Sequence, residues 1–185
     1  MKGTKPNESP GEVLIGGVEK RAIIICDYDP RWPEVFEAHA AAIGAALGAA
    51  LRIEHIGSTS VPGLAAKPIV DILLVVVDSS DEESYLAKME AAGYLLRVRE
   101  PEFHEHRMFR TPTLDVHVHV FAKGSPEVDR LLAFRDRLRA SGRERHLYEE
   151  AKRHLAAREW PDMNAYAAAK SETIERILEA AAARG

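Results

Sequence analysis

Residues 55–76 read HIGSTSVPGLAAKPIVDILLVV, and this stretch decides the fold of the chain. It joins a Gly-Ser-Thr-Ser loop and a Pro-Gly turn to an apolar run that contains a single carboxylate, Asp71. Such a run is typical of a strand covered on both faces, so residues 69–77 are predicted to form the central strand of a sheet. Because an unpaired charge among apolar neighbours is costly, Asp71 is predicted to have a cation, a hydroxyl or a metal ion as its partner.

The loop before this strand carries the components of a phosphate-binding site. Gly57 allows backbone amides to approach an anion, while Ser58, Thr59 and Ser60 add hydroxyl donors and Lys67 adds a positive charge. The loop is not a P-loop, because the required spacing is absent and a strand follows it instead of a helix. The same composition also suits an ordinary Gly-Pro loop, since these residues are common in loops.

The rest of the chain predicts an α+β fold, a mixed β-sheet flanked by helices. Strands are predicted at 21–26, 51–56, 94–98, 106–110 and 114–121, and helices at 31–47, from 78–81 to about 92, and at 126–139, 144–158 and 163–183. We expect one domain with a flexible tail at 1–20, an α/β core at 21–124, and a C-terminal segment of about three helices at 125–185.

Composition limits the classes of function. The 185-residue chain has a formal net charge of −4 and one cysteine, Cys26. The charge argues against nucleic acid as a partner, and the single cysteine excludes an internal disulfide and a cysteine-based zinc cluster. No segment approaches the ~18 apolar residues of a membrane span, and the N-terminus lacks the apolar core of a signal peptide. We therefore expect a soluble, cytoplasmic protein with no membrane partner.

Histidines supply the second set of candidate site residues. On the strand at 114–121, Asp115, His117 and His119 share one face because alternate residues of a strand point the same way. With Asp71, His117 and His119 are predicted to bind a divalent metal (Mg²⁺, Mn²⁺ or Zn²⁺), and imidazole ligands favour Zn²⁺ or Mn²⁺. Without a metal, the histidines would serve as a general base or phosphate donors, or as polar residues lining a cleft.

His106 and Arg107 are the remaining candidates on a predicted strand. Together with Asp71 they are predicted to be catalytic, with His106 or Arg107 steadying the negative charge that develops during a phosphoryl or nucleotidyl transfer.

A Gly-Ser pair followed by an aspartate-bearing strand resembles the signature of the nucleotidyltransferase superfamily, which has the polymerase-β-like fold. In that superfamily the Gly-Ser pair holds a triphosphate, and a D-x-[DE] pair on the next strand binds Mg²⁺. In this chain the second carboxylate position is Leu73. The departure matters because two-metal transfer needs at least two carboxylates that face the same way.

At the level of the whole chain, the sequence resembles the GrpB family of nucleotidyltransferase-fold proteins. The resemblance rests on YDPRWPEVF (28–36), HIGSTSVPGLAAKPIVDI (55–72), HR (106–107) with Phe109, HVHV (117–120), FRDRLR (134–139), Tyr148, Lys152, Tyr166 and Lys170. It covers residues 21 to about 180 and implies the fold more firmly than a reaction. Because such domains also occur fused to dephospho-coenzyme A kinase, it implies a link to nucleotide or coenzyme A metabolism.

The C-terminal part of the resemblance adds Arg135, Lys152 and Lys170 as candidate phosphate-binding residues. Tyr148 and Tyr166 each precede a lysine by four residues, so each pair lies on one helix face. A tyrosine and a lysine so placed can stack on a base and contact a phosphate, or they can pack helices together.

Three functions follow from these residues. The first is a nucleotidyl or phosphoryl transferase that binds a nucleotide or another phosphate-bearing small molecule, with Ser58 and Lys67 on the phosphates. The second is a nucleotide-binding module without catalysis, which Leu73 favours. The third is a metal-dependent hydrolase that uses a metal-bound water and the histidines.

Overall fold

Six strands of the described residues form one mixed sheet. The computed structural model describes residues 13–17, 22–48 and 52–182. The strands are β1 (Val13–Leu14), β2 (Arg52–Ile56), β3 (Val70–Val76), β4 (Leu95–Glu100), β5 (His106–Arg110) and β6 (Val116–Ala122). They are ordered β1-β4-β5-β6-β3-β2, with β3 parallel to β6 and the other neighbours antiparallel. The predicted α+β fold with a mixed sheet is therefore confirmed.

Helices cover the sheet and follow it along the chain. They are α1 (Trp32–Leu47), α2 (Leu86–Ala91), α3 (Pro126–Ala140), α4 (Gly142–Ala156), α5 (Met163–Ala169) and α6 (Ser171–Ala182). The helix predicted at 163–183 is interrupted at Lys170, so two short helices stand where one was expected. Within the described part of the chain, no helix has both the length and the apolar character needed to cross a membrane.

The N-terminal region departs from the sequence prediction in two places. Val13 and Leu14, predicted to lie in a flexible tail, pair with β4 at the edge of the sheet. The strand predicted at 21–26 is not formed over residues 22–25, and Cys26 makes only an isolated bridge to Ala66, through two backbone hydrogen bonds of 2.9 Å. Its β-branched composition favours a strand, but among the described residues the segment pairs only with Ala66, which lies in the β2–β3 loop. Residues 1–12 and 18–21 lie outside the described residues.

The two faces of β3 pack against different elements. Ile72 and Leu74 join an apolar cluster with residues of α1 and α2, whereas Leu73 and Val75 join a second cluster with residues of α3. The prediction that both faces are covered is confirmed. Asp71 lies on the same face as Leu73 but outside the apolar cluster, and its side chain is 30% exposed.

The C-terminal helices hold the loop that connects β2 to β3. Val61 and Leu64 of this loop pack against Leu138 of α3, Tyr148 of α4 and Ile177 of α6. The Glu149 carboxylate of α4 accepts a hydrogen bond of 3.2 Å from the backbone N–H of Ala65. The loop therefore has a defined position relative to Asp71, near the start of β3.

Candidate functional site

A cavity of about 330 Å³ opens beside the first half of β3. The sheet forms one wall, and the β2–β3 loop, α4 and α5 supply others. Its lining includes Ser58, Lys67, Asp71, Arg97, Arg110, His117, His119, Lys152, Asp162, Asn164, Tyr166 and Lys170. The structure thus brings together three predicted groups: a hydroxyl of the Gly-Ser loop, the aspartate with two histidines, and the lysines.

The aspartate and the histidines meet because β3 and β6 are adjacent parallel strands. In the register of these strands, Asp71 lies beside His117 and Leu73 beside His119. Asp71 Oδ1 is 3.7 Å from His117 Nδ1 and 3.6 Å from His119 Nε2, and the three ligand atoms all lie within 4.8 Å of one another. Two ligands of a tetrahedral metal, each about 2.1 Å from it, are about 3.4 Å apart. The two distances from Asp71 to the histidines are close to this value, so the three side chains are a candidate set of ligands for one divalent cation.

Electrostatics keeps Asp71 in the form that binds a cation. Although burial by itself raises the pKa of Asp71, the nearby His119, His117 and Lys170 hold that pKa below its usual value. The carboxyl group is therefore ionised at neutral pH.

Gly57 packs directly against this carboxylate. Its φ is +68°, and a Cβ atom at this position would overlap Asp71 Oδ2 and lie 3.1 Å from Asp71 Cγ. The glycine predicted to let an anionic ligand approach thus lets the aspartate side chain itself lie against the loop.

His106 lies behind His119 and is absent from the cavity lining. Its Nε2 atom is 3.1 Å from His119 Nδ1, and its Nδ1 atom is 2.5 Å from Glu100 Oε2. Its ring is nearly parallel to the rings of His119 and Phe121, with centroid separations of 5.3 and 4.7 Å. Burial lowers the pKa of His106, although Glu100 opposes the shift. The structure therefore places this predicted catalytic residue in contact with His119, a candidate metal ligand, but outside the cavity lining.

Lys152 is a buried cation on the opposite wall. Its side chain donates hydrogen bonds to Ser58 Oγ, at 3.0 Å, and to the carbonyl oxygen of Ala65. Burial, with a smaller contribution from the charge of Lys170, lowers the pKa of Lys152 to about 7. An amine with this pKa exists in both protonation states near neutral pH, so a nearby anion would restore its charge.

Lys67 and Lys170 flank one aromatic ring. Their ammonium groups lie 4.9 and 5.1 Å from the centroid of Tyr166. Tyr166 is fully buried and Tyr148, which lies 4.9 Å from the Lys152 ammonium, is 4% exposed. Tyr148 packs against Val61 and Leu64 of the β2–β3 loop, whereas Tyr166 lines the cavity. Each ring lies next to the ammonium group of its paired lysine.

Thr59 and Ser60 stabilise the loop and do not line the cavity. Thr59 Oγ1 is 3.0 Å from Nε2 of the buried His55, and Ser60 Oγ donates a 2.6 Å hydrogen bond to the carbonyl oxygen of Gly57. Of the three predicted hydroxyl donors, only Ser58 is brought to the cavity.

Two predicted arginines lie elsewhere as well. Arg107 is on the opposite face of β5 from His106, where its Nε donates to Glu82 at 2.6 Å. Arg135 of α3 binds Glu54 at 2.8 Å and the carbonyl oxygen of His55 at 3.2 Å. These contacts fix the sheet and the β2–β3 region, and neither residue reaches the cavity.

Sequence reasoning missed several residues of the site. Arg110 lies directly opposite His117 in the pairing of β5 with β6, so a complete sheet alignment would have placed it on the same face. Glu100 lies opposite His106 in the β4–β5 hairpin, but the predicted strand ended at Val98 and left it in the loop. Arg97, Asp162 and Asn164 also line the cavity, and no sequence pattern indicated them.

The mixed sheet, whose central strand carries an aspartate beside a Gly-Ser loop, has a nucleotidyltransferase-like fold, as its structural neighbours show. A crystal structure of the Cid1 poly(U) polymerase with MgGTP bound superimposes with a TM-score of 0.51 and 11% identity, over 73% of this chain and 45% of that one. At this identity the likeness concerns the fold alone. The crystal structure of the conserved protein GrpB from Enterococcus faecalis superimposes with a TM-score of 0.71 and 33% identity, over 84% of this chain and 98% of that one.

The family model described as GrpB protein matches residues 22–180, and the chain belongs to the GrpB family. A UPF0157 protein of Streptomyces coelicolor is 54% identical over 170 residues, which are 92% of this chain and 90% of that protein. A UPF0157 protein of Halalkalibacterium halodurans is 48% identical over 180 residues, covering 96% and 92%. A dephospho-CoA kinase of Mycolicibacterium paratuberculosis is 28% identical over 169 residues, covering 77% of this chain and 42% of that enzyme.

Proposed function

We propose that this protein binds a nucleotide or another phosphate-bearing small molecule together with a divalent cation and transfers a nucleotidyl or phosphoryl group from it. One observation carries the proposal: a single cavity joins the cluster of Asp71, His117 and His119 to three lysines. Phosphoryl transfer depends mainly on positioning and on stabilising negative charge, and these residues supply both.

The charge of the cavity favours an anion with several negative charges. Lys67, Lys152 and Lys170 line it together with Arg97 and Arg110, whereas Asp71 and Asp162 are the acidic residues of the lining. Burial of Lys152 adds to this preference, since its charged form is costly in the ligand-free protein and is stabilised beside a phosphate. The hydroxyl of Tyr166, buried and with no hydrogen-bond partner among the described residues, is one more candidate donor to a ligand.

Asp71, His117 and His119 would hold the cation. When bound, a divalent cation neutralises charge on the reacting phosphate and polarises its oxygen atoms. A set of two imidazoles and one carboxylate favours Mn²⁺ or Zn²⁺ over Mg²⁺. Asp71 then orients the cluster, while Lys152, Lys67 and Lys170 bind the phosphate oxygens.

Two alternatives each have an observation in their favour. Leu73 occupies the position of the second carboxylate and is fully buried, which favours a binding module that has no transfer activity. The histidine-rich cation cluster favours hydrolysis of a phosphate ester, since such a site can activate a bound water.

The similarity to a dephospho-CoA kinase suggests which ligands to try first. Coenzyme A carries an adenine nucleotide with several phosphate groups, so it has the charge that the cavity would bind. We propose nucleoside triphosphates and coenzyme A as the first compounds for a search.

A thermal-shift titration followed by product analysis tests the proposal. Metal-stripped protein would be titrated with ATP, GTP, CTP, UTP or coenzyme A, with and without Mg²⁺, Mn²⁺ or Zn²⁺, since a ligand that binds the folded state raises the melting temperature. The variant Asp71→Asn should lose the cation-dependent stabilisation. Asp115→Asn is the matched control, because that carboxylate binds Thr111 and Thr113 and is not part of the cavity lining.

The outcomes separate the three functions. Stabilisation by cation plus nucleotide, with transfer to an added acceptor detected by phosphorus NMR, supports the transferase. Stabilisation without consumption of the nucleotide supports the binding module. Hydrolysis that releases phosphate or a nucleotide supports the hydrolase, provided that a chelator abolishes this activity and Mn²⁺ or Zn²⁺ restores it. The absence of stabilisation by any ligand, with or without a cation, overturns all three.

A further inference from the structure

We propose that Glu100 and His106 are positioning residues that fix the tautomer of His119, so that its Nε2 lone pair points to the place where a cation would bind. This inference rests on the proposed function, because it concerns the cation cluster of that site. It assigns a role to Glu100, which no sequence pattern indicated, and it changes the role of His106 from catalysis to positioning.

The hydrogen-bond chain starts at a group that can only accept. The ionised carboxylate of Glu100 has no proton to donate, so the 2.5 Å contact with His106 requires the proton on His106 Nδ1. A neutral imidazole carries one proton, which leaves His106 Nε2 as an acceptor. That acceptor is 3.1 Å from His119 Nδ1, so His119 must donate from Nδ1.

The remaining nitrogen of His119 then faces the aspartate without a proton. His119 Nε2 and Asp71 Oδ1 are 3.6 Å apart, too far for a good hydrogen bond, and both atoms present lone pairs. Two acceptors that face each other repel unless a positive charge lies between them. A divalent cation bound by both atoms removes this conflict. Metal-binding histidines commonly donate a hydrogen bond from their other ring nitrogen, as His119 would from Nδ1.

The fold holds this chain in place. Glu100 and His106 are paired directly across the β4–β5 hairpin, and His119 is paired with Met108, two residues further along β5. The side chain of His106 is 9% exposed, and its ring makes interplanar angles of 12° and 18° with the rings of His119 and Phe121. Neither Glu100 nor His106 lines the cavity, so they act on a ligand only through His119.

The tautomers can be measured without any metal. Nitrogen-15 NMR of the metal-stripped protein at pH 8 distinguishes a protonated Nδ1 from a protonated Nε2 in each histidine, and His119→Asn identifies the signals of His119. The expected result is a proton on Nδ1 of both His106 and His119. A proton on Nε2 of His119, or a doubly protonated His106 that donates to it, overturns the inference.

Cation affinity provides the second readout. His106→Phe keeps an aromatic ring at this position but removes the acceptor, and Glu100→Leu removes the carboxylate, so each should weaken Mn²⁺ or Zn²⁺ binding about 10- to 100-fold in calorimetry. Glu100→Gln keeps an oxygen that accepts from His106 and should largely restore affinity. His146→Phe, at a histidine 74% exposed on α4, is the matched control and should leave affinity unchanged.

The result also separates this inference from the proposed function. Wild-type protein that binds the cation while His106→Phe and Glu100→Leu bind it equally well overturns the positioning role alone. Wild-type protein that binds no cation overturns the cation site and the positioning role with it. If His106→Phe fails to fold, as its metal-free melting curve would show, the Glu100→Leu and Glu100→Gln pair decides.

Discussion

Replacing Lys152 by methionine is predicted to change how the stability of the ligand-free protein depends on pH. Lys152 is 2% exposed, and burial lowers its pKa from the ordinary 10.5 to about 7. The native protein therefore loses this proton as the pH rises through about 7, whereas the unfolded chain keeps it up to about 10.5. Between these values the unfolded state binds more protons, so the free energy of unfolding rises with pH.

The magnitude follows from these two pKa values. Each pKa unit corresponds to about 1.36 kcal/mol, so between pH 6 and pH 9 Lys152 should add about 2.5 kcal/mol to the free energy of unfolding of the wild type. Lys152→Met has no such group and should lack this gain. The stability difference between wild type and variant should thus shift by about 2.5 kcal/mol in favour of the wild type at pH 9.

Urea unfolding of both proteins at pH 6 and pH 9 measures this difference. Lys123→Met is the matched control, because Lys123 is exposed in the loop after β6, and it should show no such shift. A difference between wild type and Lys152→Met that stays constant between the two pH values would refute the reasoning. It would mean that the amine is not desolvated in the native state.

Three further predictions concern the site and its supports. Gly57→Ala should lower the free energy of unfolding by about 2 kcal/mol or more and weaken cation binding, because the new Cβ overlaps Asp71. The control Gly63→Ala should cost only about 1 kcal/mol, since Gly63 has a φ of +76° but no heavy atom within 4 Å of its Cβ position. Equal losses of stability in denaturant unfolding of the two variants would contradict this. Arg107→Met should cost about 1–3 kcal/mol of stability because it removes the hydrogen-bonded ion pair with Glu82, while nucleotide affinity stays within about threefold of the wild type. An affinity as low as that of Asp71→Asn would place Arg107 in the site. Binding of ATP at pH 8 should take up close to one proton as Lys152 regains its charge. In calorimetry, the binding enthalpy of the wild type should therefore depend on the ionisation enthalpy of the buffer, and Lys152→Met should remove this dependence. The same dependence in both proteins would exclude Lys152 as the source of the proton uptake.

The centre of the fold and of the site could be predicted because each rests on a local pattern. The apolar run of residues 69–77 identifies a doubly covered strand, and alternation on β6 places His117 and His119 on one face. Their meeting with Asp71 needs only that β3 and β6 are neighbours, which the fold supplies. Alternation also shows that His106 and Arg107, adjacent on one strand, must point to opposite faces, so only one of the two can lie on the face that carries His119.

The remainder depends on contacts between distant segments. Glu100 becomes part of the site only through its register with His106, and the register of a hairpin is set by turn geometry that a single sequence encodes weakly. The four-residue spacing places Tyr148 and Lys152 on one helix face, but their burial arises when α4 packs against Val61 and Leu64 of the β2–β3 loop. The low pKa of Lys152 is therefore a property of tertiary packing.

The most direct test of the central claim is anomalous diffraction at the manganese absorption edge from crystals grown with Mn²⁺ and a non-hydrolysable ATP analogue. The account predicts a manganese peak bound by Asp71 Oδ1, His117 Nδ1 and His119 Nε2, with phosphate oxygens directed to Lys67, Lys152 and Lys170. A fully occupied manganese and nucleotide site elsewhere on the protein, with this cavity holding neither, would contradict it.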